Sequence, residues 1–427
     1  MAAQSRTNLG LFENLAARKP VQTLFNVETL NLFSRWDYLF RLKAFRYQEF
    51  LKHPFLRRSY FLGSLHFCLR GYDQVIRGDR RLAFILDHQY YEYVESVYLK
   101  ANPDVLEKIK TKQIPDGLSH FLRWGYREIL DKKRQYAAGI SMPKILKIIK
   151  NQNSKKGKNL CLFAHFDPQG LIDPYVLVYL ETLKTMGCDV AFVSENIQKK
   201  ELKKLNRLCF RVVQRSPGGL DFGSWYSALS CLKLKLNQYD TVLLANDSAY
   251  FPLRPVDQLL KKMGNFDFWS LTESLQRGSA SDSYHLQSYF MGFSKLARKK
   301  GLLEQFVSQY EKHPVLSKCG IIEIFEYGMT QWALNLKLKT GALCNLRNCY
   351  NYTKKIRKVP SLDHITPTLD LWDTLIEAAQ CPVLKVGLVR DNPRNNYDSA
   401  VAKKLLKQGS YPFSLITNHI RRIKQRK

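Results

Sequence analysis

The sequence runs to 427 residues, more than one hydrophobic core usually supports, so two or more domains are expected. Hydrophobic residues at 45% and charged residues at 24% exclude a disordered or fibrous chain. Lys and Arg number 67 against 37 Asp and Glu, a formal net charge of +30 that suits polyanionic partners: nucleic acid, anionic headgroups or phosphorylated substrates.

No uninterrupted apolar run reaches the roughly 18 residues of a spanning helix. The opening MAAQSRTNLGLFENLAARKP carries no apolar h-region, so a cytoplasmic protein is expected. The nine cysteines stand singly with no CxxC pair, which predicts buried, reduced thiols.

Residues 22–82 read as helical and basic. Trp36, Tyr38, Phe40, Phe45 and Phe50 are interleaved with Arg35, Arg41, Lys43 and Arg46. That mixture suits an interfacial helix lying in a headgroup layer, or equally an arm packed on its own catalytic domain. From residue 87 the pattern changes. Asn102-Pro103-Asp104 predicts a helix break and restart, and Gly125 a helix C-terminus. His120, among apolar neighbours at helical spacing, reads as a packed core histidine. The polar stretch at 150–158 (KNQNSKKGK) marks a domain boundary. The expected domains are therefore 1–86, a basic amphipathic helical region; 87–150, a small helical module; and 159–427.

The third domain alternates strands and helices. Strands are expected at 159–164, 189–193, 211–214 and 240–245, with helices at about 173–186 and 224–236. Apolar strands buried on both faces predict an α/β fold, a mostly parallel Rossmann-like sheet flanked by helices and preceded by an all-helical N-terminal region. Ligands in such sheets sit off the carboxyl ends of the strands, where this chain places hydrogen-bonding groups four times over. These are His165 and Asp167, Asn196, the loop Arg215–Ser224, and Asn246-Asp247-Ser248. Gly218-Gly219 lets backbone approach a ligand, and Ser224 is expected to cap the helix that follows. Neither GxGxxG nor GxxxxGK[ST] occurs, which argues against a dehydrogenase and a P-loop ATPase.

A carboxylate after a strand suits sugar-nucleotide chemistry, where a leaving diphosphate must be neutralised by a divalent ion or by basic side chains. Asn246-Asp247-Ser248 stands where many such enzymes place Asp-x-Asp, making Asp247 the candidate ligand for Mg2+ or Mn2+. Its amide and hydroxyl flanks are weak ligands for either ion.

Seven segments in order resemble the rhamnan synthesis protein F family of GT-A-like glycosyltransferases: DFGSW at 221–225, NDSAYFPLRP at 246–255, FDFWSLTES at 266–274, HLQSYFMGF at 285–293, EYG at 326–328, LDLWDTLI at 369–376 and PVLKVGLVRDNP at 382–393. The module at 87–150 resembles one found beside such enzymes in polysaccharide gene clusters. The resemblance implies transfer of a sugar, rhamnose or a related one, from a nucleoside-diphosphate donor to a cell-wall or lipopolysaccharide glycan. A lipid-linked acceptor and a peripheral position on the anionic inner face of the plasma membrane are expected with it. Nucleic acid is not an expected partner, because no signature for it is present. A non-catalytic scaffold of a synthase complex is the alternative, favoured by Asn246 standing where a carboxylate is usual.

The candidate donor-binding residues are His165, Asp167, Asn196, Arg215, Gly219, Asp221, Asn246, Ser248 and Arg390, with Lys385 the alternate to Arg390 for reaching a phosphate. His285, Gln287 and Ser288 are candidates for the acceptor cleft, 285 and 287 sharing a face if they lie in one strand. Glu326 is the candidate general base, with Asp247 the second catalytic carboxylate. Glu323, three residues earlier on a helix, is the alternate base.

Overall fold

The structure, a computed structural model, describes residues 46–47, 72–77, 82–86, 89–134, 136, 143–151, 157–232, 234–276, 284–313 and 318–425. The basic aromatic segment expected at 22–82 lies almost entirely outside these. Contacts divide the chain into two units, Met1–Ile140 with Val315–Gly320 and Ser141–Pro314 with Ile321–Lys427.

The described part of the first unit is not all helical, contrary to expectation. Strands β1 (Arg46–Tyr47), β2 (Leu82–Leu86) and β3 (Gln89–Glu92) form an antiparallel sheet in that order. The apolar run LAFIL is short enough for a strand and bears no helical period. Helices Glu95–Ala101 and Pro103–Lys110 break at Asn102, with Pro103 in the first turn where its missing N–H costs nothing. His120 is buried and bonded to the Tyr98 hydroxyl at 2.7 Å, the core histidine expected. Gly125 ends a π-helical turn, Phe121–Gly125, instead of a helix: a Cβ there would run into the Tyr98 hydroxyl.

The second unit is built on a nine-stranded mixed sheet. Its strands are β4 (Ile145–Lys150), β5 (Asn159–His165), β6 (Cys188–Ser194), β7 (Arg211–Arg215), β8 (Val242–Asn246), β10 (Phe268–Ser274), β11 (His285–Leu286), β12 (Phe290–Phe293) and β13 (Thr340–Cys344). A separate pair joins β9 (Ala249–Tyr250) to β14 (Leu384–Lys385). The sheet order is β11-β10-β12-β8-β5-β6-β7-β4, with β13 also on β10. Strands β5, β6, β7, β8, β10 and β13 run one way. The other three, β4, β11 and β12, oppose them.

Every residue of β5, β6 and β8 is buried, as both-faces-covered strands require. Helix Pro174–Thr185 covers one face through Tyr175, Val176, Tyr179 and Leu183. Helix Leu220–Cys231 packs on β5, and its Trp225 indole donates to the Leu162 carbonyl at 3.1 Å. The four expected strands and the first helix are present to within two residues.

Other expectations are corrected. Residues 145–150 form edge strand β4 rather than part of a helical module, because ILKIIK pairs its β-branched residues with β7. The second helix starts at Leu220, so Ser224 lies inside it and caps nothing. The segment PVLKVGLVRDNP divides between two elements: Leu384-Lys385 pair in β14, and a helix spans Val386–Asp391. Among the described residues seven cysteines are free thiols, all buried except Cys231. No helix among them is long and apolar enough to cross a membrane.

Candidate active site

Strand β8 delivers Asn246 beside Ala164 of β5, and the chain turns at Asp247-Ser248. The Asn246 amide is spent on geometry. Its Nδ2 donates to Asp221 Oδ2 at 2.6 Å, and its Oδ1 accepts from the Ser248 N–H at 3.1 Å and hydroxyl at 2.5 Å. Asp247 Oδ2 accepts from the Phe166 N–H at 3.0 Å and lies 3.8 Å from His165 Nε2. The ends of β5 and β8 and the first turn of Leu220–Cys231 are thereby joined. Burial pushes Asp221 up to about 6, against the pull of Lys385. It drives Asp247 well above the usual carboxylate range, with Asp221 adding to the effect. It also holds His165 down at about 4, so that ring is neutral at pH 7 and bonded to Ser194 Oγ at 3.0 Å.

From the far end of the chain, β14 places Lys385 opposite Ala249, and the Val386 N–H bonds the Ser248 carbonyl at 2.9 Å. Lys385 Nζ donates to Ser248 Oγ at 2.7 Å and stands 4.6 Å from the centre of the Tyr289 ring. Burial pushes its ammonium below the usual lysine value, against the opposing pull of Glu326, Asp221 and Asp247. Glu326 lies in a π-helical turn, Ile322–Tyr327, and accepts from the Ser288 hydroxyl at 2.6 Å. His285 Nε2 is 3.8 Å from its other oxygen, with the His285 ring against Tyr327, centroids 3.9 Å apart and tilted by 34°. The π turn is wider than an α turn, so Glu323 and Glu326 do not share a face as α spacing suggests.

The structure thus gathers His165, Asp221, Asn246, Asp247, Ser248, His285, Ser288 and Glu326, with Lys385 among them. Other candidates are committed elsewhere. Arg215, 1% exposed, gives its five N–H donors to Ser224, the carbonyls of Ser216, Gly218 and Leu220, and Glu195. It shapes the glycine loop instead of offering itself to a phosphate. Gly219 sits at φ 72°, and a Cβ there would collide with the Tyr310 hydroxyl. Asp167 caps its own loop through the Gln169 and Leu171 N–H groups and pairs with Arg422. Asn196 donates to the Pro168 carbonyl. Gln287 lies just past β11 and accepts from Thr272, so it shares no strand face with His285. Arg390 is exposed, forked onto Asp391. Reasoning from sequence placed Lys385 second to Arg390; of the two, Lys385 is the one that lies in this cluster, bonded to Ser248. The available signal was a lone lysine in an apolar run, PVLKVGLV. Tyr289, whose ring faces that lysine, was missed.

These residues do not fit Mg2+ or Mn2+. Among the described residues, no three His, Cys, Asp or Glu side chains are gathered as a cation cage. Both ends of the Asn246 amide are occupied, and an ammonium already stands beside the two aspartates, where it repels a second cation.

The profile of the family described as rhamnan synthesis protein F matches residues 190–427, more than half of the chain. The chain belongs to the rhamnan synthesis protein F family. The match runs from within β6 to residue 427 and takes in Asp221, Asn246–Ser248, Ser288, Glu326 and Lys385. The uncharacterized protein y4gN of Sinorhizobium fredii (strain NBRC 101917 / NGR234) is 22% identical over 218 residues, 50% of this chain and 55% of that one. The chain therefore spans about half the length of this curated relative. Among solved structures, the galactosyltransferase LgtC with donor and acceptor sugar analogues aligns over 59% of this chain and 97% of its own, at 11% identity and TM-score 0.29. The glycosyltransferase GlyE of Streptococcus pneumoniae TIGR4 aligns over 62% and 63%, at 13% identity and TM-score 0.32.

Proposed function

We propose that this member of the rhamnan synthesis protein F family is a glycosyltransferase that moves a sugar, rhamnose or a related one, from a nucleoside-diphosphate donor to a cell-surface glycan. The observation that carries the reading is the convergence of Asp221, Asp247 and Glu326 around Lys385 at the carboxyl ends of β5 and β8. A donor's diphosphate and a sugar hydroxyl need opposite kinds of group within a few ångströms, and this cluster holds both.

Glu326 takes the proton of the acceptor hydroxyl as its oxygen attacks the anomeric carbon. The bond from that carbon to the phosphate oxygen breaks, and the electron pair leaves with the nucleoside diphosphate. Ser288 fixes the Glu326 carboxylate at 2.6 Å, leaving one oxygen for the acceptor side beside His285. Asp221 and Asn246, locked together, orient the sugar. The same reading puts the protein in the cytoplasm, meeting a lipid-linked acceptor at the anionic inner membrane surface.

The test is to incubate the full chain with a panel of nucleotide sugars, with and without Mn2+, and measure released nucleotide. Turnover of one donor that Asp247→Asn abolishes supports the reading. A panel with no turnover under either condition, on protein with a cooperative melt, favours the scaffold reading.

A further inference from the structure

We propose that the Lys385 ammonium is the cation that holds the donor's diphosphate, in place of a divalent metal ion. This rests on the glycosyltransferase reading and names the group that neutralises its leaving group.

Three observations converge on it. The position of Lys385 is set by main chain on both sides: the β14–β9 register and the Val386 N–H to the Ser248 carbonyl. Its Nζ spends one N–H on Ser248 Oγ, leaving two for phosphate oxygens, and a lysine ammonium binds phosphate as a point charge. The Tyr289 ring lies 4.6 Å away and steadies the charge without using a donor.

The neighbouring acids explain why a metal is dispensable. Asn246 stands where a carboxylate would serve an ion, and its amide is bonded at both ends. Asp221 and Asp247 are held toward their neutral forms by burial, which weakens them as ligands; burial lowers Lys385 as well, and the neighbouring carboxylates oppose that and favour its ammonium form. The guanidiniums that sequence reasoning offered for this role are unavailable, Arg215 inside its loop and Arg390 on Asp391. The anion that fits is a diphosphate, common to every nucleoside-diphosphate sugar. When the bond to the anomeric carbon breaks, its electron pair stays on the phosphate oxygen facing Lys385, and no metal or redox partner is required.

Isothermal titration of the full chain with inorganic pyrophosphate tests this directly, in EDTA and again with excess Mg2+ or Mn2+. The expected result is binding in EDTA that metal does not tighten, weakened by about tenfold or more in Lys385→Met and largely kept in Lys385→Arg. Melting curves of both variants establish that they fold. Binding that appears only with metal, binding by Lys385→Met equal to wild type, or no binding in either condition overturns the proposal. Metal-dependent nucleotide release from the donor panel that survives Lys385→Met overturns it while leaving the glycosyltransferase reading intact. Metal-free, Lys385-dependent pyrophosphate binding without turnover of any donor does the reverse.

Discussion

Asn246 donates its amide to the Asp221 carboxylate at 2.6 Å, tying the end of β8 to the first turn of the helix that begins at Leu220. Replacing Asn246 with Asp, which would recreate an Asp-x-Ser element, turns this bond into a repulsion between two carboxylates. Asn246→Asp is expected to lose about 1–3 kcal/mol of folding stability by denaturant titration. It should also lose nucleotide release that added Mn2+ does not restore. Restored or improved turnover with Mn2+ would count against the role given to this pair.

The Asp221 carboxyl sets a pH dependence of definite sign. Its pKa in the fold is raised to about 6, so the native state holds a proton that the unfolded chain gives up near the ordinary carboxylate value of about 3.9. Stability therefore falls as pH rises between about 4 and 6. His165, held at about 4, acts in the opposite sense, losing stability as pH falls from about 6.5 toward 4. Comparing Asp221→Asn with wild type cancels the histidine. The variant should melt higher than wild type at pH 7.5, with the gain vanishing by about pH 4. A difference independent of pH would be inconsistent with a half-buried, titrating Asp221.

Glu326 is positioned by Ser288 rather than by salt bridges to arginine. Glu326→Gln keeps that hydrogen bond but cannot take a proton. With the donor identified by the panel, kcat should fall by about 10²–10⁴-fold while pyrophosphate affinity does not fall. Glu323→Gln should change neither, and a comparable loss in both variants would remove Glu326 from the role.

Gly219→Ala tests the loop that Arg215 organises. The residue has φ 72°, and a Cβ would strike the Tyr310 hydroxyl. A loss of about 1–3 kcal/mol is expected in chemical denaturation. Gly218, at φ 133°, has nothing within 4 Å of a Cβ, so Gly218→Ala probes backbone strain alone and should cost less.

Membrane association is expected to be electrostatic. Each Lys or Arg near an anionic leaflet contributes about 1 kcal/mol, screened over roughly 8 Å at physiological salt. Sedimentation with anionic vesicles should therefore fall steeply as salt rises. Removing residues 1–82 should weaken it more than it weakens nucleotide release. Equal binding to neutral and anionic vesicles would assign the net charge of +30 to another partner.

Local pattern alone determined the α/β core. NLCLFA, DVAFV, RVVQ and DTVLLA are apolar on both faces, and such runs have nowhere to go but the middle of a helix-covered sheet. It also determined that Asp221 and Asn246–Ser248 would meet, because they follow strands whose carboxyl ends share one rim. Edge strand β4 was hidden because ILKIIK spaces its lysines three apart, without the two-residue alternation of a half-buried strand, and becomes a strand only through pairing with β7. The π turn carrying Glu326 leaves no periodic trace, yet it decides which of two glutamates faces Ser288. Tertiary structure alone chose Lys385 over Arg390. The two residues lie five apart on one segment, and no local rule states that β14 pairs with β9 and carries the lysine back 137 residues to Ser248. A long-range pairing sets that distance, whereas Arg390 finds Asp391 next to it in sequence and stays at the surface.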